Sequence, residues 1–156
     1  MKSPVMSLLL LSVLVLVACG GPQVDATLDE VQTENAQAMI AVAQETLVDE
    51  QGAVSVAITP LEVAHDAATL SFEVAMNTHS VDLGMDLAQL ATLTTDTGAA
   101  VTATTWTGEA GGHHVSGVLS FPTDNDGAPL LEGATTITLI LENVDGRERT
   151  FTWRVQ

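Results

Sequence analysis

The fold is decided by the stretch LSFEVAM, residues 70–76, in which apolar and polar side chains alternate. Successive side chains of a β-strand point to opposite faces, so its four apolar residues would all face one way. This pattern predicts a strand with one face in a hydrophobic core and the other in solvent.

The same two-residue period recurs on both sides of this stretch, from Ala53 to the end of the chain. Residues 96–98, Asp-Thr-Gly, indicate a hairpin turn between two of the runs. Residues 81–89 suit a strand or one helical turn equally well, and both interpretations stay open. The other predicted strands lie at 54–58, 90–95, 99–106, 115–121, 136–141 and 151–155.

About seven strands separated by regular turns are typical of an antiparallel β-sandwich. We therefore expect an all-β domain with an immunoglobulin-like or fibronectin-like sandwich, and a small barrel is the alternative. The last hairpin would run from Ala134 to Val155, with Phe151 and Trp153 anchoring the core.

The N-terminus has the features of an export signal. Lys2 is followed by a mostly apolar run over residues 4–18 and then by Leu16-Val17-Ala18-Cys19. This ending resembles the lipobox of bacterial lipoproteins, which implies that residues 1–18 are a signal peptide and that Cys19 carries the lipid. The alternative is an ordinary signal peptide cut nearby, with Cys19 a bystander.

The resemblance implies an extracytoplasmic protein held to the membrane through Cys19. Gly20 stands where an aspartate would resemble an inner-membrane retention signal, which favours the outer membrane if the organism is diderm. Residues 19–52 are acidic and contain no aromatic residue, and we expect a tether there. Apolar residues near helical spacing over residues 28–47 predict that part of the tether is helical. The sandwich domain would then comprise residues 53–156.

Charge excludes one class of partner. Once residues 1–18 are removed, three arginines stand against 20 carboxylates, a formal charge of −17. Such a surface repels phosphate, so we expect no nucleic-acid binding. Cys19 is the only cysteine, so no intramolecular disulfide can form.

Motifs for catalysis are missing from the sequence. The chain has no H-E-x-x-H, no G-x-S-x-G, no glycine-rich phosphate loop and no cysteine beyond Cys19. We therefore expect a protein that is not an enzyme.

Histidines and methionines supply the candidate site. Imidazoles and thioether sulfurs together suit copper or another soft metal. The alternatives are that the two methionines belong to the core and that the histidines are polar surface residues. The tentative ligands are His79, His113, His114, Met76 and Met85.

The segments 78–83 and 111–114 are similar to stretches in uncharacterised secreted proteins of bacteria and archaea. The mature domain as a whole resembles only such uncharacterised β-sandwich proteins. The resemblance implies that the two histidine loops belong together. We expect a lipid-anchored, non-catalytic binding or accessory module of the cell envelope. The alternative is a module that binds an envelope protein partner and no metal.

Overall fold

A computed structural model describes residues 45–155, which form eleven β-strands and one short 3₁₀ turn. No α-helix occurs among these residues. The strands are β1 Leu47–Asp49, β2 Val54–Glu62, β3 Leu70–Thr78, β4 Ala91–Thr95, β5 Ala100–Thr102, β6 Thr105–Trp106, β7 His114–Phe121, β8 Asp124–Asn125, β9 Ala128–Pro129, β10 Thr136–Val144 and β11 Arg147–Arg154, and the 3₁₀ turn is Leu87–Gln89.

The strands make two main antiparallel sheets. The five-stranded sheet has the order β1-β2-β3-β7-β6 and the four-stranded sheet has the order β11-β10-β4-β5. Strands β8 and β9 form a separate small hairpin. The predicted all-β, antiparallel class is confirmed.

Strand β3 lies in the middle of the five-stranded sheet, between β2 and β7. Its four large apolar residues, Leu70, Phe72, Val74 and Met76, are all buried, as the alternation predicted. Phe72 packs edge-on against Phe121 of β7, with ring centroids 5.8 Å apart. Its ring also packs at a tilt against Trp153 of β11, with centroids 5.5 Å apart. The second contact joins the two sheets, which share one hydrophobic core.

The predicted final hairpin is confirmed as β10 and β11, which pair from Thr136–Arg154 to Val144–Arg147. Phe151 and Trp153 are both buried, and their rings stack at 6.3 Å. The Asp96–Gly98 turn is confirmed as well: the Thr95 amide donates to the Ala99 carbonyl at 2.9 Å.

Strand β2 continues through Pro60 to Glu62, beyond the predicted end at residue 58. Proline lacks the N–H that a central strand needs and is tolerated where a strand is an edge. Strand β1 covers only Val56, Ala57 and Ile58 of β2. Pro60 therefore lies beyond the end of β1, where one side of β2 has no neighbouring strand.

The predicted strand at 99–106 is two strands in different sheets. Strand β5 pairs with β4 in the four-stranded sheet, and β6 pairs with β7 in the five-stranded sheet. The change takes place between Ala103, whose amide donates to Ala91, and Thr104, whose amide donates to Ser120. Of the two structures considered for residues 81–89, no strand forms, and one helical turn, of the 3₁₀ type, occurs at Leu87–Gln89.

The sheet begins inside the segment assigned to the tether, because β1 at Leu47–Asp49 pairs with β2. Residue 47, the last of the predicted helix, is thus in a strand. The signal peptide, Cys19 and residues 28–44 of that helix lie outside the described residues. Among residues 45–155, no helix is long and apolar enough to cross a membrane.

Candidate functional site

The two histidine segments meet at one end of the five-stranded sheet. Strand β3 ends at Thr78 and the antiparallel β7 begins at His114, with Asn77 and His114 as register partners. The Thr78 amide donates to the His113 carbonyl at 2.9 Å. We call the segments 78–83 and 111–114 the histidine end. Its two segments are at least 28 positions apart in the sequence (83 to 111).

Backbone hydrogen bonds connect the two segments beyond the strands. The Leu83 amide donates to the Gly112 carbonyl at 3.0 Å, and the Gly111 amide donates to the Leu83 carbonyl at 3.1 Å. Asp82 adds a side-chain contact, since its Oδ1 accepts the Gly112 amide at 2.7 Å. These contacts fix the two segments relative to each other.

Gly111 and Gly112 shape the turn before β7. Their φ angles are +91° and +98°, in a region that side chains other than glycine rarely adopt. A Cβ on Gly111 would also lie 3.4 Å from Asp82 Oδ1. The glycine pair is thus required for the backbone to reach Asp82 and then enter β7 at His114.

The tautomer of His114 is set by its neighbour on β3. His114 Nδ1 lies 2.8 Å from Asn77 Oδ1. A carbonyl oxygen only accepts, so with Oδ1 in this position Nδ1 carries the proton and donates it. The neutral ring then has its lone pair on Nε2, and such fixing of one ring nitrogen leaves the other ready to bind a metal. The side chain of His114 is exposed.

His79 and His113 are exposed at the same end, and His79 directly follows β3. Within residues 45–155, no three His, Cys, Asp or Glu side chains are grouped closely enough to hold one ion. The structure therefore brings the two loops together without converging the three imidazoles on one point.

The two methionines pack in or against the hydrophobic core. Met76 is completely buried and belongs to the core, whereas His114 is on the outer face of the same sheet. Adjacent positions of a strand face opposite sides, so Met76 and Asn77 diverge. Met85 is half-buried and packs against the core. Both residues occupy the core positions that were the alternative to metal ligation.

Trp106 and the glycines near it serve packing. A Cβ built on Gly108 would lie 2.0 Å from the Trp106 ring, and one built on Gly117 would lie 2.3 Å from the Gly108 amide nitrogen. The half-buried indole and the 107–108 backbone thus fill space that side chains on Gly108 and Gly117 would occupy. The occurrence of glycine at 108 and 117, beside the Trp106 ring and the 107–108 backbone respectively, is explained by this close approach.

Arg149, which was not predicted as a functional residue, has the largest fully buried side chain among the described residues. It forms an ion pair with Asp49 of β1, and its Nη2 donates to the Gln51 carbonyl at 2.5 Å. Its Nε is buried and has no partner among the described residues. Arg149 is in phase with Phe151 and Trp153 along β11, so a charged residue at a core position was the available signal.

The pKa of Asp49 reflects two opposing effects. Partial burial raises the pKa of the carboxyl, but hydrogen bonds from the backbone and side chain of Gln51, followed by the hydrogen bond and charge of Arg149, outweigh it. The pKa of Asp49 is therefore below its usual value, and the side chain is a carboxylate at neutral pH.

Comparison with protein-family models, with curated proteins and with solved structures finds no match to the chain.

Proposed function

We propose that the protein is a lipid-anchored, extracytoplasmic module with no catalytic activity, which binds a ligand at the histidine end. The lipobox-like Leu16–Cys19 supports the anchor, and the acidic segment that follows supports a tether. We further propose that the two sheets around one core form an immunoglobulin-like sandwich, a fold that commonly carries its function on loops.

The observation that carries the binding proposal is the set of backbone hydrogen bonds that joins segments 78–83 and 111–114. They place three exposed histidines at one end of a rigid sheet. The ligand class is copper or another soft metal ion, bound first through Nε2 of His114. Since His79 and His113 are outside regular strands, rotation of their side chains would complete the site.

The test is thermal unfolding of the soluble mature chain, residues 19–156 with Cys19→Ser, with and without Cu(I), Cu(II) or Zn(II). An ion that binds only the folded form at 100 times its Kd stabilises by about 2.7 kcal/mol, so the melting temperature should rise by several degrees. His114→Ala should abolish the rise. His65→Ala is the matched control, because His65 is also exposed but lies in the loop before β3, at its opposite end.

An unchanged melting temperature with every ion would end the metal proposal. A rise that persists in His114→Ala and disappears in His65→Ala would place the ion elsewhere.

A second candidate function is a protein-interaction module of the envelope that binds no metal. It is favoured by Val48 of β1 and Leu61 of β2, whose side chains are 58% and 45% exposed near one edge of the five-stranded sheet. Exposed sheet edges bind extended segments of partners by adding a strand. A photo-crosslinker at position 61 in living cells should then capture one discrete partner, while one at Thr150 on the outer face of the other sheet should not.

The anchor is tested separately by mass spectrometry of the protein extracted from membranes. The mature form should begin at Cys19 and carry diacylglycerol, and Cys19→Ser should release it from the membrane. An unacylated mature N-terminus in the unaltered chain would contradict the anchor and leave the histidine proposal standing.

A further inference from the structure

A strap, defined as residues 45–53, crosses the open side between the two sheets. Its strand β1 pairs with β2 of the five-stranded sheet. Its other contacts reach β11 of the four-stranded sheet: Trp153 Nε1 donates to the Glu45 carbonyl at 2.9 Å, and Arg149 Nη2 donates to the Gln51 carbonyl. The strap therefore links the two sheets at one of their edges.

None of the nine strap residues is buried. Leu47 and Asp49 are half-buried, and full burial begins only at Val54, which is 1% exposed. Segments with few buried apolar contacts open locally at a lower free energy than the rest of a domain. The strap is held by polar contacts, by three residue pairs with β2 and by one apolar side chain, Leu47, that packs against the core.

The strap covers a buried cation. The Arg149 side chain is 0% exposed, and its Nε has no hydrogen-bond partner among the described residues. Burying a charge is unfavourable, and the ion pair with Asp49 offsets that cost while the strap is closed. Opening the strap would rehydrate Arg149, and this favourable hydration would partly offset the free-energy cost of losing its contacts.

Two further charged residues near the strap are Asp145, in the turn between β10 and β11, and Arg147, the first residue of β11. Asp145 Oδ2 accepts the Ala53 amide at 3.0 Å. A Cβ on Gly52 would lie 2.7 Å from Asp145 Oδ2 and 2.8 Å from Arg147 Nε, so the strap passes closely over this turn. The end of the strap thus contacts one carboxylate and one further guanidinium.

We infer that the strap opens as a unit from an otherwise folded domain, and that the uncovered edge of β2, together with Arg149, accepts an extended acidic segment of a partner in its place. The strap itself shows the chemistry of that partner: an extended backbone that pairs with Val56, Ala57 and Ile58, and a carboxylate that meets Arg149. Main-chain pairing would supply affinity, and the buried guanidinium would select for the acid.

The opening is tested by amide hydrogen exchange on residues 19–156 with Cys19→Ser, comparing Asp49→Asn with the parent. Exchange of residues 45–53 should be faster by roughly tenfold or more in Asp49→Asn, because Arg149 loses its counter-charge, and in both chains it should be faster than exchange of β3 and β10, which open only when the whole domain unfolds. The matched control is Asp96→Asn, which removes a carboxylate from the distant β4–β5 turn and should leave the strap unchanged. Exchange of the strap at the same rate as β3 and β10 in the parent chain, or no acceleration of the strap in Asp49→Asn, would overturn the inference.

The acceptor is tested with a fluorescent peptide of residues 45–53. The Asp49→Asn chain should bind it. The parent chain should bind it at least about tenfold more weakly, because its own strap competes at high effective concentration. A peptide with asparagine in place of Asp49 should bind neither chain. Absence of binding to Asp49→Asn, or equal binding of the two peptides, would overturn the acceptor. Neither measurement depends on the histidines.

Discussion

The Asp49–Arg149 pair predicts an asymmetric response to substitution. Asp49→Asn leaves a guanidinium that is 0% exposed without a counter-charge, whereas Arg149→Met leaves a carboxylate that is 16% exposed and still accepts from Gln51. Removing one partner of a fully buried pair costs about 3–5 kcal/mol. We expect about 2 kcal/mol for Asp49→Asn, because Arg149 keeps the Gln51 carbonyl and Asp49 is only partly buried.

Arg149→Met should cost less, about 0–1 kcal/mol, because an apolar side chain fits the core that surrounds this position and Asp49 can be hydrated. The double variant should resemble Arg149→Met, so most of the loss in Asp49→Asn should be recovered. The cost of Asp49→Asn also has an upper limit, since strap opening can rehydrate Arg149 before the domain unfolds.

Urea unfolding followed by tryptophan fluorescence measures these differences. Trp153 reports on the hairpin that carries Arg149, and unchanged m values would show that the denatured state is comparable. A double-mutant cycle then gives the coupling between the two residues. The reasoning is refuted if Arg149→Met is as destabilising as Asp49→Asn, or if the double variant is the least stable of the three.

Three further outcomes are expected from other parts of the chain. Gly117→Ala should destabilise the domain by about 1–3 kcal/mol in urea unfolding, since its Cβ would overlap the Gly108 backbone, while Gly84→Ala, with its nearest neighbour at 3.8 Å, should be near neutral. The lowered pKa of Asp49 stabilises the folded state above its unfolded pKa of about 3.9, so this contribution should disappear as the pH falls below about 4 and should be absent from pH titrations of Asp49→Asn. Asn77→Leu should remove the preference of His114 for the Nδ1–H tautomer, which ¹⁵N NMR of the ring nitrogens reports directly.

The features that the sequence predicted are those that depend on local pattern. Strand β3 and the β10–β11 hairpin have strict alternation and turn residues, and both were found. The change of sheet within 99–106 was missed because the segment was treated as one run. Its signal is a phase change, since buried Val101 and half-buried Trp106 are separated by an odd number of positions. Strand β1 has only three residues, too few for a period to be recognised.

The histidine end was predictable only in part, because sequence patterns carry local information and not long-range contacts. Segments 78–83 and 111–114 were expected to belong together by resemblance, but their contact depends on the pairing of Asn77 with His114, 37 positions away. Spacing along the chain carries no information about such a partner. Arg149 shows the converse: its position in the core phase of β11 was readable, while its partner Asp49, 100 positions away, was not.

The passage of the chain from β5 to β6 has a mechanical consequence. On that side, covalent backbone between Ala103 and Thr104 joins the sheets, whereas on the side of β1 and β11 they are joined by the strap contacts and by side-chain packing such as that of Phe72 on Trp153. Any swelling of the domain under load or in mild denaturant should therefore be one-sided. The sheets would swing apart about the Ala103–Thr104 crossover, and water would first enter beside Trp153.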